Sequence, residues 1–527
     1  MMSETPAWLR ALQEPARFPH PVEGVELIET HISWVLLAGD YAYKFKKPVN
    51  LGFVDFSALH LRRYYCREEL RRNHPLAGDL YEAVITLRGT PDDPVFGPDE
   101  DGVEAFEYGV RMRRFDESER LDHALADGRL EASELEDFTE RLARYHAGTA
   151  VADNETTWGT PEAVAAPARD NLTTLRRTVD PADPGYPHLK AVTAWTEQAH
   201  HRLSPVFARR RAEGAVRECH GDLHLGNMAR VEGRVIAFDC IEFNPAFYWI
   251  DTMNEVAFLA MDTRDRDRPD LGRRALNRYL EHTGDFAGME VFDYYQVYRA
   301  LVRAKVAAIR VEQEEGEAAE TARAEMEEYL GLADTLTRPR QPWLAITHGL
   351  SGSGKSHASG ALIAATDAIR LRSDVERKRL HGLPPDAETG AGMDAGIYTA
   401  AASDRTYEHL LARAEELLDA GWPVVVDATF LTADRRAPFR ALARRRGCSF
   451  AVLELEAPEA VLRERITARA AAGGDASEAD TAVLEAQLQR REPPAGDGGE
   501  DVLRIDATRP VDGEALHRRI APPERAG

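Results

Sequence analysis

The chain has 527 residues, too many for one hydrophobic core, so at least two domains are expected. Its formal charge of −23 argues against wholesale attraction to nucleic acid or an anionic membrane. From Trp343 onward 24 Lys plus Arg face 29 Asp plus Glu, so the acidity is mainly N-terminal. The four cysteines, Cys66, Cys219, Cys240 and Cys448, lie far apart without C-x-x-C spacing, which indicates neither a disulfide framework nor a zinc site. The sequence has no long apolar run, and Met1 to Pro21 lacks a secretory pattern, so no membrane association and a cytoplasmic setting are expected.

Residues 25 to 47 read as strands. Trp34-Val35-Leu36-Leu37 leads to a tight turn at Ala38-Gly39-Asp40, and Tyr41 to Lys46 alternates inward and outward. Ser57 is expected to cap a helix running to about Asn73 and ended by His74-Pro75, with Leu59, Cys66 and Leu70 on one face and Glu69 beside them. In two-lobed kinases a strand lysine pairs with a helix glutamate and steadies the α and β phosphates. Lys44 and Glu69 are the candidates here. Lys46, Lys47 and Glu68 compete for the same roles, and solvated surface charge is the plain alternative.

Farther on, His220-Gly221-Asp222-Leu223-His224-Leu225-Gly226-Asn227, followed by Phe238-Asp239, has the spacing of a kinase catalytic loop and its metal-binding aspartate. Asp222 would take the acceptor hydroxyl proton, and Asn227 with Asp239 would hold Mg²⁺ on the phosphates. A polar turn in which Asp222 and Asn227 bond local backbone is the alternative. Residues 291 to 336 read as helical, with an acidic stretch from Glu312 to Glu320. Thr337 to Pro342 then breaks the pattern with two prolines. This places a linker at 337–342 between a module spanning 1–336, with a small lobe at about 25–110 and a large lobe at about 111–336, and a second module spanning 343–527.

The second module opens with the apolar Trp343-Leu344-Ala345-Ile346 and then Gly349-Leu350-Ser351-Gly352-Ser353-Gly354-Lys355-Ser356, a full G-x-x-x-x-G-K-[ST] phosphate loop. Gly349, Gly352 and Gly354 let backbone N–H groups turn toward phosphate oxygens, and the following helix adds its positive end. Ser351 and Ser353 lie in the cradle, Lys355 would reach the β and γ phosphates, and Ser356 would ligate Mg²⁺. ATP and Mg²⁺ are the expected cofactors. Val424-Val425-Val426-Asp427 reads as a buried strand ending in a carboxylate, Asp427, which either serves a metal-bound water or acceptor, or caps a loop.

Residues 25 to about 335 resemble the aminoglycoside phosphotransferase branch of the protein-kinase-like fold, on His220-Gly221-Asp222, Asn227, Phe238-Asp239 and Asp251. The remainder resembles small P-loop kinases of the group that contains polynucleotide kinase, zeta toxins and gluconate kinase. Their order is similar to a bacterial family described as bifunctional aminoglycoside phosphotransferase and ATP-binding protein, whose segments resemble Glu29 to Val35 and Leu51 to Phe56. The fold class implied is α/β multidomain: a two-lobed kinase-like α+β fold followed by a doubly wound parallel sheet. The resemblance assigns Asp374 as general base of the second module, with a plain helix cap for a helix starting at Val375 as the alternative. It assigns Arg377 to an acceptor phosphate or the leaving group, and Arg465 and Arg469 to a lid before the Ala470–Ala476 stretch, with solvated helix charges as the alternative for these two. It gives Asp251 the role of hydrogen-bonding the catalytic-loop backbone, with an ordinary helix N-cap as the alternative.

One departure stands out, because Glu29-Thr30-His31-Ile32-Ser33 replaces the glycine-rich hairpin of protein kinases. Its clamp would use Thr30 or Ser33 hydroxyls and backbone N–H groups. The functional expectation is two ATP-dependent modules phosphorylating hydroxyls of small molecules. Glu242, Asp251, Glu255 and Asp262 suggest an acidic cleft for a cationic acceptor in the first. A first module that is a pseudokinase, binding a ligand and regulating the P-loop module, is the other class of reading. A nucleic-acid 5′ end or a nucleotide-sugar is an alternative acceptor for the second module, with the net acidity against long polynucleotides.

Overall fold

The computed structural model describes residues 5–52, 54–389, 396–472, 477, 479–494 and 501–521. Phe53 and residues 473–476 of the expected lid stretch lie outside them. The chain divides into two compact units, Met1–Val164 with Phe207–Leu259, and Ala165–Val206 with Ala260–Gly527. No helix among the described residues is long and apolar enough to cross a membrane.

The first unit carries an antiparallel six-stranded sheet of β1 (Val25–Glu29), β2 (Ser33–Ala38), β3 (Tyr41–Lys46), β4 (Tyr81–Thr90), β5 (Asp93–Pro98) and β6 (Glu107–Arg113), in the order β1-β2-β3-β6-β4-β5. Period-two alternation decides which residues face which side. Trp34, Leu36, Tyr43 and Phe45 pack on Trp8, Leu9 and Phe18. Lys44 and Lys46 therefore point to the other face, where Val84, Tyr108 and Val110 meet Cys66 and Ala77 of the helix Leu59–Ala77. That helix departs from expectation at both ends. Ser57 does not cap it, because its hydroxyl bonds the Asp55 carboxylate at 2.6 Å, and Pro75 sits inside the last turn before Gly78, at φ 57°, closes it. Two short antiparallel pairs flank the loop His220–Asn227: β7 (Val216–Glu218) with β10 (Trp249–Asp251), and β8 (Met228–Val231) with β9 (Arg234–Ala237).

In the second unit β11 (Trp343–His348), β12 (Ile369–Arg372), β13 (Val424–Asp427), β14 (Ser449–Glu456) and β15 (Val502–Asp506) form an all-parallel sheet in the order β12-β13-β11-β14-β15. Its central strands β11, β13 and β14 are buried on both faces, as cover by helix layers requires, while the edge strands β12 and β15 carry Arg370, Arg372 and Arg504. Residues 291–336, expected as one helical stretch, form two helices, Met289–Gln313 and Glu317–Leu336, because Gly316 turns the chain at φ 62°. Residues 337–342, expected as a linker, join the latter helix to β11 within this unit. Arg340 there pairs with both oxygens of Asp293 at 2.6 and 2.7 Å and stacks 3.6 Å over the Trp422 ring. The fold class read from the motifs is the one observed, a kinase-like α+β fold followed by a doubly wound parallel α/β sheet.

Candidate functional site

Two separate constellations form, one in each unit. In the first, strand β3 and the helix Leu59–Ala77 bring Lys44 Nζ to 2.7 Å from Glu69 Oε1. Glu69 is fully buried, so surface solvation does not describe it. Lys46 also donates to Glu69, through Oε2 at 2.7 Å, and pairs with the buried Glu242. The competing lysine is thus a second partner of the same carboxylate. Burial pushes the Glu69 carboxyl up, but the two ammonium groups outweigh it and hold it down at about 2. Lys44 additionally pairs with Asp239. Asp239 has φ 59°, an uncommon conformation for a residue with a side chain, and its N–H donates to the Tyr81 hydroxyl at 3.0 Å. Lys47 instead pairs with Glu29, and Glu68 with Arg71, which places both away from this cluster.

Asp222 and Asn227 face each other across the loop His220–Asn227. Asn227 Nδ2 donates to the Asp222 carboxylate at 2.8 Å and to its carbonyl at 3.0 Å, so the two residues order each other as well as the turn. His220 Nε2 meets the Phe238 carbonyl at 2.9 Å, which ties the loop to the segment ending at Asp239. The carboxylate that supports the loop backbone is Glu255 and not Asp251. Glu255 accepts from the N–H groups of His220 at 3.1 Å and Gly221 at 2.7 Å, and pairs with His146 Nε2 at 2.8 Å. Asp251 is bound by Arg210 at 2.6 and 2.8 Å and caps the Met253 amide. Near-identical spacing from the loop made the two carboxylates indistinguishable in sequence.

The expected acidic cleft is not present as such. Glu242 pairs with Lys46, Asp251 with Arg210, Glu255 with His146, and Asp262 with Arg266, and all four carboxylates are buried. Carboxylates already neutralised by internal partners offer little attraction to an incoming cation. The expected clamp residue Thr30 is likewise occupied, since its hydroxyl accepts from the Ser33 N–H at 3.0 Å and donates to the Ser33 carbonyl at 3.2 Å. Ser33 differs, because its hydroxyl is buried with no partner among the described residues.

In the second unit the phosphate loop leaves β11 and enters the helix Lys355–Ala365. Gly352 and Gly354 have φ 78° and 85°, and a Cβ at Gly349 would lie 2.4 Å from the Ser353 hydroxyl, so the glycines are required by backbone shape and by close packing. Ser353 Oγ is buried without a hydrogen-bond partner among the described residues. Lys355 Nζ donates to the loop carbonyls of Gly349 at 3.1 Å and Leu350 at 2.8 Å. Burial lowers its pKa, opposed by Asp427 and Asp374. The Ser351 N–H donates to Gln487 Oε1 at 2.8 Å, a contact from the helix Thr481–Arg490 that no motif signalled.

A cavity of about 430 Å³ opens beside this loop, and Ser356, Asp374, Arg377, Asp427, Arg465 and Arg469 all line it. Asp374 sits in the first turn of the helix Ser373–Leu380, whose cap position is Arg372, so it is no end cap. Arg377 donates through Nη1 to the Ile397 carbonyl and the Ser403 hydroxyl, both at 3.2 Å, while its buried Nε has no acceptor among the described residues. Asp427 accepts from the Ser359 hydroxyl at 3.2 Å and, among the described residues, from no loop amide. Arg465 is anchored on the carbonyls of Gly352 and Ala507 at 3.4 and 2.8 Å, and Arg469 on that of Ala479 at 2.7 Å.

Residues 344–494 match a protein-family profile described as an AAA domain. An uncharacterized protein of Mycobacterium tuberculosis is 31% identical over 504 residues, covering 94% of this chain and 96% of the relative. Among solved structures, a gluconokinase from Sinorhizobium meliloti 1021 is 24% identical over 34% of this chain and 93% of its own, with a TM-score of 0.25. A choline/ethanolamine kinase family protein from Mesorhizobium loti is 14% identical over 62% of this chain and 98% of its own, with a TM-score of 0.37. With that degree of identity over nearly the whole of both proteins, the chain belongs to the family of the mycobacterial protein.

Proposed function

We propose that the protein is a phosphotransferase with two ATP-dependent modules, each moving a γ-phosphoryl group to a hydroxyl of a small molecule. The observation that carries the reading is the single cavity lined by Lys355 and Ser356 of the phosphate loop and by Asp374 and Arg377. Such an arrangement sets a nucleotide γ-phosphate against a carboxylate and a guanidinium, the groups that orient an incoming hydroxyl and offset developing charge.

In each module the acceptor oxygen forms a bond to γ-phosphorus while the bond from phosphorus to the β–γ bridging oxygen breaks, releasing ADP. The acceptor proton passes to Asp222 in the first module and to Asp374 in the second, and from there to water. Asn227 and Asp239 would hold Mg²⁺ in the first module, Ser356 and Asp427 in the second. Amide, carboxylate and hydroxyl oxygens suit this hard cation. When bound, the ion screens the phosphate charges. Lys44, braced by the buried Glu69, would contact the α and β phosphates.

Incubation of the purified protein with ATP, Mg²⁺ and a metabolite mixture, followed by phosphorus NMR, tests the reading. New phosphomonoesters are expected, some lost in Asp222→Asn and the others in Lys355→Ala. The absence of any product beyond ADP and inorganic phosphate contradicts it.

The second reading, a ligand-sensing first module that regulates the P-loop module, draws on the glycine-free turn whose Thr30 hydroxyl is occupied by its own backbone. Under it, Asp222→Asn leaves every product in place.

A further inference from the structure

The elements that carry Arg372, Asp374 and Arg377 into the second site are braced by a helix that lies upstream of the phosphate loop. The helix Pro269–Thr283 ends beside β12 and the helix Ser373–Leu380. Near its C-terminus Glu281, 2% exposed, accepts from Arg370 Nε at 3.0 Å and Nη2 at 2.6 Å, and lies 3.5 Å from Arg372 Nη1. Arg370 in turn reaches the Ser356 carbonyl at 3.4 Å, at the start of the phosphate-loop helix. Arg372 lines the cavity, pairs in register with Asp427 and occupies the cap position before Asp374.

A second set of contacts grips the same elements. Arg379, on the helix that bears Asp374 and Arg377, donates to the carbonyls of Glu281 at 2.6 Å and Leu280 at 3.4 Å. Both are last-turn carbonyls, and that of Leu280 also accepts from the Gly284 N–H at 2.8 Å. Gly284 closes that helix at φ 71°, and a Cβ there would lie 2.6 Å from the Arg379 guanidinium. Asn277 is bonded to the edge of β12 through both ends of its amide, to the Ala368 carbonyl at 3.1 Å and the Arg370 N–H at 2.7 Å. The strand and helix that carry the candidate base and arginine are therefore fastened to this upstream helix through side chains and backbone alike.

We infer that Glu281 is a positioning residue of the P-loop site: it holds Arg370 and Arg372 so that Asp374 and Ser356 keep the separation that phosphoryl transfer requires. It touches no reacting atom. The inference rests on the phosphotransferase reading of this cavity and adds a determinant from outside the phosphate-loop motifs. A carboxylate accepting from Arg370 fixes where β12 ends, and a small displacement of a reacting group costs rate far more than affinity.

The test uses the full chain with Asp239→Asn to silence the first module, and reads Lys355-dependent ATP hydrolysis with water as the acceptor. Glu281→Gln keeps shape and removes charge. It should lower kcat by about tenfold or more with KM for ATP·Mg²⁺ within about twofold, while Glu281→Asp recovers part of the rate. Arg372→Gln, which leaves the Arg370 contact with Glu281 in place, should show the same split. Wild-type kcat in Glu281→Gln, or a parallel loss of kcat and ATP affinity in both variants, overturns the inference and leaves the phosphotransferase reading standing. A parent with no Lys355-dependent turnover overturns both.

Discussion

Glu255 Oε1 accepts the Gly221 N–H at 2.7 Å, so a buried carboxylate thirty-four residues downstream holds the backbone of the His220–Asn227 loop. Burial pushes the Glu255 carboxyl up, but His146 and the loop amides outweigh that and hold it at about 2, against an ordinary 4.5. A depressed folded-state pKa means the unfolded chain binds more protons. The stabilisation is therefore complete above about pH 4.5 and disappears as pH falls toward 2. Its size at neutral pH is on the order of 3 kcal/mol. Urea unfolding followed from pH 6 to pH 3 should show Glu255→Gln less stable at pH 6, with a shallower decline below pH 4.5. A decline as steep as the wild type's would refute the assignment.

Glu69 faces two ammonium groups, and its removal takes from each one of two carboxylate partners, leaving Asp239 to Lys44 and Glu242 to Lys46. Breaking one partner out of a buried ion cluster costs about 3–5 kcal/mol. Glu69→Gln should lower the melting temperature by several degrees and weaken nucleotide binding at the first module. Thermal unfolding together with nucleotide titration in a Lys355→Ala background would check both effects. Unaltered melting would mean that Lys44 and Lys46 find other acceptors.

Gly352 has φ 78°, and a Cβ there would lie 2.7 Å from the Leu462 carbonyl. Gly352→Ala should therefore distort the phosphate loop. Strain of this kind costs about 1–3 kcal/mol, equivalent to roughly tenfold or more in ATP affinity at the second site. Titration with a fluorescent ATP analogue in the Asp239→Asn background is the measurement. Wild-type affinity would show that the cradle is not where phosphate binds.

The Arg340 guanidinium lies over Trp422 and holds Asp293 through two bonds. Burial pulls its pKa down, but Asp293 and Asp367 raise it overall, so it stays charged at any ordinary pH. Arg340→Lys cannot reproduce the paired fork or the stacking. It should destabilise the second unit by about 2 kcal/mol, readable as a lower urea midpoint, whereas Arg338→Lys, at a largely exposed site, should change little.

Where chemistry demands a fixed local spacing, the sequence was readable. The phosphate loop, the five-residue step from Asp222 to Asn227 and the alternation that puts Lys44 on one face of its strand all follow from backbone geometry. What escaped depends on partners far away in the chain. Asp251 and Glu255 are both acidic and close to the loop, and only packing brings the second one under Gly221. Lys46 shares the period-two face of Lys44, which is why a single carboxylate serves both. Glu281 carries no motif, and its part in the second site appears only when its helix is seen against β12. Glu242, Asp251, Glu255 and Asp262, close behind the loop in sequence, suggested a cleft for cations, yet charge alone does not reveal which carboxylates already have internal partners.

The central claim is that two independent nucleotide sites occur in one chain, one resting on Lys44 and Asp239 and the other on Lys355. Calorimetric titration with a non-hydrolysable ATP analogue and Mg²⁺ tests it most directly. The account predicts two bound nucleotides per chain, one in Lys355→Ala and one in Asp239→Asn. One nucleotide in the wild type, or two retained in either variant, would contradict it.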